Sequence, residues 1–165
     1  MKQIPLTQGQ FAMVDDNDYD YLMQWRWCAV FCKRGKRFYA ARSHNSNGKK
    51  NTISMHRQLL GITDKHTIVD HKDHNALNNS RVNLRIVSHA ENMANRLPKI
   101  NGSSNFLGVY KFKNKNYWSA QITKGGKQKY LGFFYNEIEA AKAYDSAALE
   151  IHGEFANTNF KNGDC

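Results

Sequence analysis

Residues 68–96 read IVDHKDHNALNNSRVNLRIVSHAENMANR, and their local pattern is strand, loop, strand, helix. Thr67, Ile68 and Val69 form a β-branched run that ends in the pair Asp70-His71, and such runs favour the pleated strand. Leu84, Ile86 and Val87 supply a second short strand after the turn-rich loop KDHNALNNSRVN. Ser88 with Glu91 three residues later is a capping-box signature, so a helix starts there and carries Asn92 and Asn95. In this outline Asp70 and Asn92 could converge on one cation, because a carboxylate and an amide offer the hard oxygen donors that suit magnesium or manganese. His71 follows Asp70 directly and points to the other face of an ideal strand, so a strand end or bulge must re-aim one of the two. If both reach the site, a neutral His71 is a general base for a water attacking phosphorus. The same residues also suit a polar hairpin in which Asn75, Asn78 and Asn79 only close turns.

Upstream, residues 2–42 carry strand-like runs. Phe11 and Met13 alternate, and WRWCAVFC and RFYAAR flank the basic turn KRGK. The acidic stretch DDNDYD lacks the glycine and closing glutamate of a calcium loop and reads as a solvated turn leading into a short helix. SHNSNGKKN reads as a polar loop, and ISMHRQLLGI as a strand entering a short helix that Gly61 stops. His56 sits there beside Arg57, as a structural histidine or as half of a phosphate-reaching pair.

Downstream, LPKINGSSN has linker composition. Three strand-like runs separated by KNKN and KGGK follow, a meander pattern. In YWSAQI, Trp118, Ala120 and Ile122 fall on one face and Tyr117, Ser119 and Gln121 on the other. Ile138, Ala141, Tyr144, Ala148 and Ile151 then recur at helical spacing after an Asn136 cap, and Gly153 ends the run. One sheet and one helix result, with Trp118, Ile122, Leu131, Phe134 and Tyr144 as their small core.

The chain has 165 residues and a formal net charge of +10, enough for two small modules with thin cores and a polyanionic partner. Residues 99–133 hold seven lysines and no acid, whereas residues 134–165 hold two lysines against six acids, a net of −4. A positive sheet backed by a negative helix gathers cations on one side, as phosphate binding requires. Cys28, Cys32 and Cys165 form no CxxC pair, which excludes a zinc ribbon and a disulfide framework and makes a reducing cytosol the default. No apolar run approaches the roughly 18 residues of a membrane span, so no membrane partner is expected.

Two family resemblances sharpen this reading. VDHKDHNALNNSRVNLRIVSHAEN resembles the HNH nucleases of phages and mobile introns. That resemblance implies His71 as general base, Asp70 as metal ligand, Asn83 as the Asn that braces the loop and orients the histidine, and Asn92 as the helix ligand, around one divalent cation, Mg2+ or Mn2+. His89 competes with Asn92, either His89 or His74 could be an accessory phosphate contact, and the upstream MHRQLLG makes His56 and Arg57 secondary candidates. From Asn105 to Phe160, LGVYKF, YWSAQI, YLGFF and EIEAAKAYDSAALEIHGEFANTNF resemble the ethylene-response-factor (Apetala-type) DNA-binding domain. This implies a three-stranded antiparallel sheet laid into the major groove, with Tyr110, Lys113, Lys115, Gln121, Thr123, Gln128 and Tyr130 outward. This sheet has no arginine where the plant relatives place several, so their recognition sequence does not transfer.

The expected architecture is therefore α+β. A β-rich N-terminal unit leads into a ββα-metal nuclease motif (1–97, motif core 67–96). A linker (98–105) and a three-stranded sheet packed on one helix (106–161) follow. The expected activity is metal-dependent cleavage of double-stranded DNA by a homing-type HNH endonuclease, with a catalytically inactive, sequence-specific DNA-binding regulator as the alternative. Phosphate contacts would come from Lys111, Lys127 and Lys129 of the sheet and from Arg81, Arg85 and Arg96 near the motif. A monomer is expected rather than a dimer, encoded by a phage or mobile element and acting in the cytoplasm of its host.

Overall fold

The computed structural model describes residues 1–33, 35–46, 48–95, 102–112 and 115–160, apart from the side chain of Ser46. The chain is mixed α+β, built from several small antiparallel sheets and a few helices. It divides into two compact units, Met1–Val87 and Ser88–Cys165. No helix among the described residues is long and apolar enough to cross a membrane.

In the first unit, β1 (Lys2–Pro5) pairs antiparallel with β2 (Phe11–Val14), and α1 (Asp16–Leu22) follows. Ile4, Ala12 and Val14 alternate into the interior and meet Leu22 and Trp27, whose indole Nε1 donates to the Leu22 carbonyl at 2.8 Å. Next, β3 (Cys28–Cys32), β4 (Arg37–Ser46) and β5 (Lys49–Ser54) form a three-stranded antiparallel sheet, and α2 (Met55–Leu59) buries Met55 and Leu59 against the same core. SHNSNGKKN is thus a hairpin rather than the polar loop its composition suggested, with His44 opposite Asn51 and Ser46 opposite Lys49. Its exposed strands lack the apolar alternation that marks a half-buried strand, but Asn-Gly is a strong hairpin-turn dipeptide.

The quoted stretch gives β6 (Ile68–His71) and β7 (Leu84–Val87), a two-stranded antiparallel hairpin whose ladder runs without a shift from Ile68–Val87 to His71–Leu84. The loop between them is anchored on β2. The Met13 amide donates to the Leu77 carbonyl (2.8 Å) and the Asn79 amide donates to the Met13 carbonyl (2.7 Å). It is held a second time by Arg81, whose guanidinium grips Asp18 at 2.8 and 2.7 Å while its backbone amide donates to Asp15 at 2.7 Å. The acidic stretch is therefore partly a clasp, with Asp18 buried, rather than only a solvated turn.

In the second unit, α3 (His89–Ala94) begins with both bonds of the expected capping box. Ser88 Oγ accepts from the Glu91 amide (3.3 Å), and the Ser88 amide donates to the Glu91 carboxylate (2.6 Å). β8 (Val109–Lys111), β9 (Trp118–Lys124) and β10 (Lys127–Phe134) form an antiparallel sheet in the order β10-β9-β8, backed by α4 (Glu137–His152). Ala140, Ala141, Tyr144, Ala147 and Ala148 pack on Val109, Ala120 and Ile122. Small residues on this helix face let it approach the sheet closely. The buried Asp145 ties down the end of the module, accepting from the backbone amides of Asn159 (2.7 Å) and Phe160 (2.9 Å).

Candidate active site

The hairpin places Asp70 and His71 side by side at the end of β6, in different surroundings. Asp70 lies opposite Arg85 on β7 and receives it on Oδ2, from Nε at 2.9 Å and from Nη2 at 2.8 Å. Both side chains are only 12% exposed. Arg85, expected as a DNA contact, is thus engaged with the carboxylate beside the histidine. Arg81 is likewise engaged with Asp18. No bulge re-aims the pair; His71 is the last residue of its strand.

His71 is buried, and its Nε2 has no hydrogen-bond partner. Burial lowers its affinity for a proton, and the nearby Arg37 charge adds to this. The Asn79 side chain, Asp73 and Asp70 act in the opposite sense, and the net shift is downward. The imidazole is therefore neutral at neutral pH. Its ring meets that of His56 edge-on (centroids 5.3 Å, planes at 83°) and lies 6.4 Å from the ring of Tyr39. His56 is held down to about 4, first by burial and then by the charges of His71 and Arg57. Arg57 itself is spent on the following turn, donating to the carbonyls of Thr67 (2.6 Å) and Asp64.

Asn83 braces the loop. Its Nδ2 donates to Asp73 Oδ1 (2.9 Å) and to the Asn78 carbonyl (2.8 Å), while its Oδ1 accepts from the Asp73 amide (3.1 Å). Burial alone would raise the Asp73 carboxyl. Hydrogen bonds from the Asn78 side chain, the Asn75 backbone and the Asn83 side chain outweigh it and hold the group below its ordinary range. His74 adopts φ +61 in this loop, and its carbonyl accepts from Arg37 Nη1 at 3.3 Å.

Arg37 is the residue that reading the sequence missed. It stands on β4, far upstream of the motif, yet it reaches the loop that follows His71. Among the described residues it forms no ion pair. The only advance signal was the basic turn KRGKR, in which nothing singles out its last residue.

The other expected residues are in unit 2. Asn92 and His89 lie on α3, which follows β7 directly in the chain. His89 lines a cavity of about 810 Å³ together with Thr123, Lys124 and His152. On the sheet, Tyr110 lies opposite Ser119, and Gln128 and Tyr130 lie opposite Thr123 and Gln121. These residues share the face away from α4. Lys111, Lys127 and Lys129 lie opposite Trp118, Lys124 and Ile122, on the register of the core residues, and are exposed along the sheet's margins. Lys115 is exposed, with its Nζ 5.6 Å from the Tyr117 ring. Arg96 and Lys113 lie outside the described residues.

Among the described residues no group of three or more His, Cys, Asp or Glu side chains is placed to hold a metal. A three-histidine or cysteine-rich centre is thus not present there. The candidate donors are hard oxygens, Asp70 carboxylate and Asn92 amide. Donors of this kind suit magnesium or manganese, which keep several waters, better than zinc.

A family model described as HNH endonuclease matches residues 57–94. An uncharacterised HNH endonuclease of Acanthamoeba polyphaga mimivirus is 32% identical over 157 residues, covering 92% of this chain and 76% of the viral protein. APETALA2-like protein 2 of Oryza sativa subsp. indica is 47% identical over 62 residues, 36% of this chain but 14% of the rice protein. An AP2-like ethylene-responsive transcription factor of Arabidopsis thaliana is 44% identical over 62 residues. The AP2-like matches fall in the C-terminal region.

Proposed function

Because the chain belongs to the HNH endonuclease family, we propose that it hydrolyses phosphodiester bonds of double-stranded DNA with one divalent cation at Asp70 and Asn92 and with His71 as general base. The observation that carries this reading is His71, a buried neutral imidazole with an unengaged Nε2. It ends a strand whose following loop Asn83 ties down from three directions. In this reading a nitrogen of the neutral His71 ring accepts a proton from the attacking water. Fixing the loop holds that atom still, and rigid placement of a base is worth much of its catalytic effect. Arg37, which donates to the His74 carbonyl and whose charge is felt by His71, supplies a cation near the loop, suited to the negative charge that grows on the attacked phosphate.

Asp70 and Asn92 would hold the cation, with β6, β7 and α3 as the ββα-metal motif. When bound, the cation stabilises the charge on the leaving 3′ oxygen. Arg85 fixes the Asp70 carboxylate in place through its two contacts to Oδ2. Unit 2 positions the enzyme on duplex DNA, its lysines Lys111, Lys115, Lys127 and Lys129 contacting phosphates. The protein acts as a monomer of the homing type, in the cytoplasm of the cell that hosts its phage or mobile element.

The test is nicking of supercoiled plasmid. Wild type is expected to nick in magnesium or manganese and to stop in excess chelator, and Asp70→Ala is expected to need much more metal or to be inactive. Nicking that persists unchanged in chelator would remove the cation from the mechanism.

A further inference from the structure

The unit-2 sheet turns an aromatic, uncharged face away from α4. Tyr110 is 43% exposed, Phe112 40%, Tyr130 63% and Phe133 63%, an apolar exposure that marks a binding surface. Phe112, Tyr117 and Phe133 pack on one another, with centroids 5.3 to 5.7 Å apart. Tyr110 and Tyr130, on the strands either side of β9, make no such ring contact among the described residues. With Lys111, Phe112, Ser119 and Gln121 they line a shallow, open cup of about 230 Å³. That is below the roughly 300–1,000 Å³ of sites for drug-sized ligands and matches a smaller, flat group.

The chemistry of the cup is that of an unstacked nucleobase. Rings flank it, and Gln121 offers an amide with both donor and acceptor, as the Watson–Crick edge of a base requires. Lysines stand along the margins of the same sheet, and Lys111 is part of the cup's own lining. Lys111 lies with Nζ 5.2 Å from the Trp118 ring, Lys115 lies by Tyr117, and Lys124, Lys127 and Lys129 run along the β9–β10 hairpin. No acid occurs between residues 99 and 133 to oppose a phosphate chain. A basic margin around exposed rings is how single strands are held, the phosphates by charge and the bases by stacking. A duplex hides the faces of its bases and offers such rings only groove edges.

We propose that this face binds single-stranded DNA, seating one unstacked base in the cup between Tyr110 and Tyr130. This deepens the reading of unit 2 as the DNA-binding part, and the experiment separates the two. The full chain, kept in chelator, is titrated with labelled oligothymidylate and with the same strand annealed to oligoadenylate. Stacking is worth about 1–3 kcal/mol per base. Tyr130→Ala should therefore lower the ratio of single-strand to duplex affinity about tenfold, and Tyr130→Phe should keep it. Tyr130 is exposed, so its removal leaves the core intact. The proposal is overturned if the ratio is the same in Tyr130→Ala as in wild type, or if wild type binds oligothymidylate no better than inorganic polyphosphate. Duplex binding together with either of those results would leave unit 2 a duplex reader. Single-strand binding that Tyr130→Ala weakens, with no duplex binding, would support the cup and remove the duplex reading.

Discussion

His56 takes up no proton at neutral pH in the folded chain, because burial holds it down to about 4. The unfolded chain protonates this residue near pH 6.5 and the folded chain only near 4. Its contribution is therefore fully present above 6.5 and is lost as pH falls from there toward 4. The difference amounts to roughly 3 kcal/mol at most. Denaturant unfolding should show lower stability at pH 5 than at pH 7.5 in wild type, and His56→Gln should flatten that difference. Equal pH dependence in the two proteins would show that another group carries it. The pair Arg85–Asp70 gives a second residue-level test. Removing one partner of a buried ion pair leaves the other charge unpaired at a cost of about 3–5 kcal/mol. Arg85→Ala should therefore lower the melting temperature, whereas an arginine acting only as a DNA contact would leave it unchanged.

At the scale of elements, the second sheet requires a glycine at 108. Gly108 has φ +69, and a Cβ there would overlap the Tyr144 ring and press on the Gln121 carbonyl oxygen. Strain of both kinds adds up to about 3 kcal/mol or more. Gly108→Ala should melt the sheet module early by circular dichroism, and an unchanged melt would mean that α4 can retreat from the sheet. The elements legible in the sequence were those written in neighbouring residues. The Ser88–Glu91 capping box, the alternation of Trp118, Ala120 and Ile122, and the 3.6-residue repeat of α4 each declare themselves within one or two turns. What stayed hidden depends on partners far along the chain. Asp18 meets Arg81 across 63 residues and Arg37 meets the His74 carbonyl across 37. No local pattern encodes such meetings. The hairpin at 43–51 was hidden for another reason: its strands are polar and exposed, so they show no buried face.

At the scale of the whole molecule, two units carry two chemistries in one chain. The cations that mark unit 2 as a phosphate binder are surface lysines, and their effect should be electrostatic. The logarithm of duplex affinity should fall linearly with the logarithm of salt concentration. Replacing Lys127 and Lys129 together with Gln should make that slope shallower by about 2, near 0.9 per lost phosphate contact. A slope unchanged by both substitutions would place the phosphates elsewhere. Catalysis should rest on the first unit's hairpin. The most direct measurement compares nicking of supercoiled plasmid in magnesium by wild type and by His71→Ala, matched for melting temperature and duplex affinity. The expected result is nicking by wild type and a loss of about 100-fold or more in the variant, as removal of a general base entails. Equal nicking by the two proteins would contradict the assignment of His71 as the base.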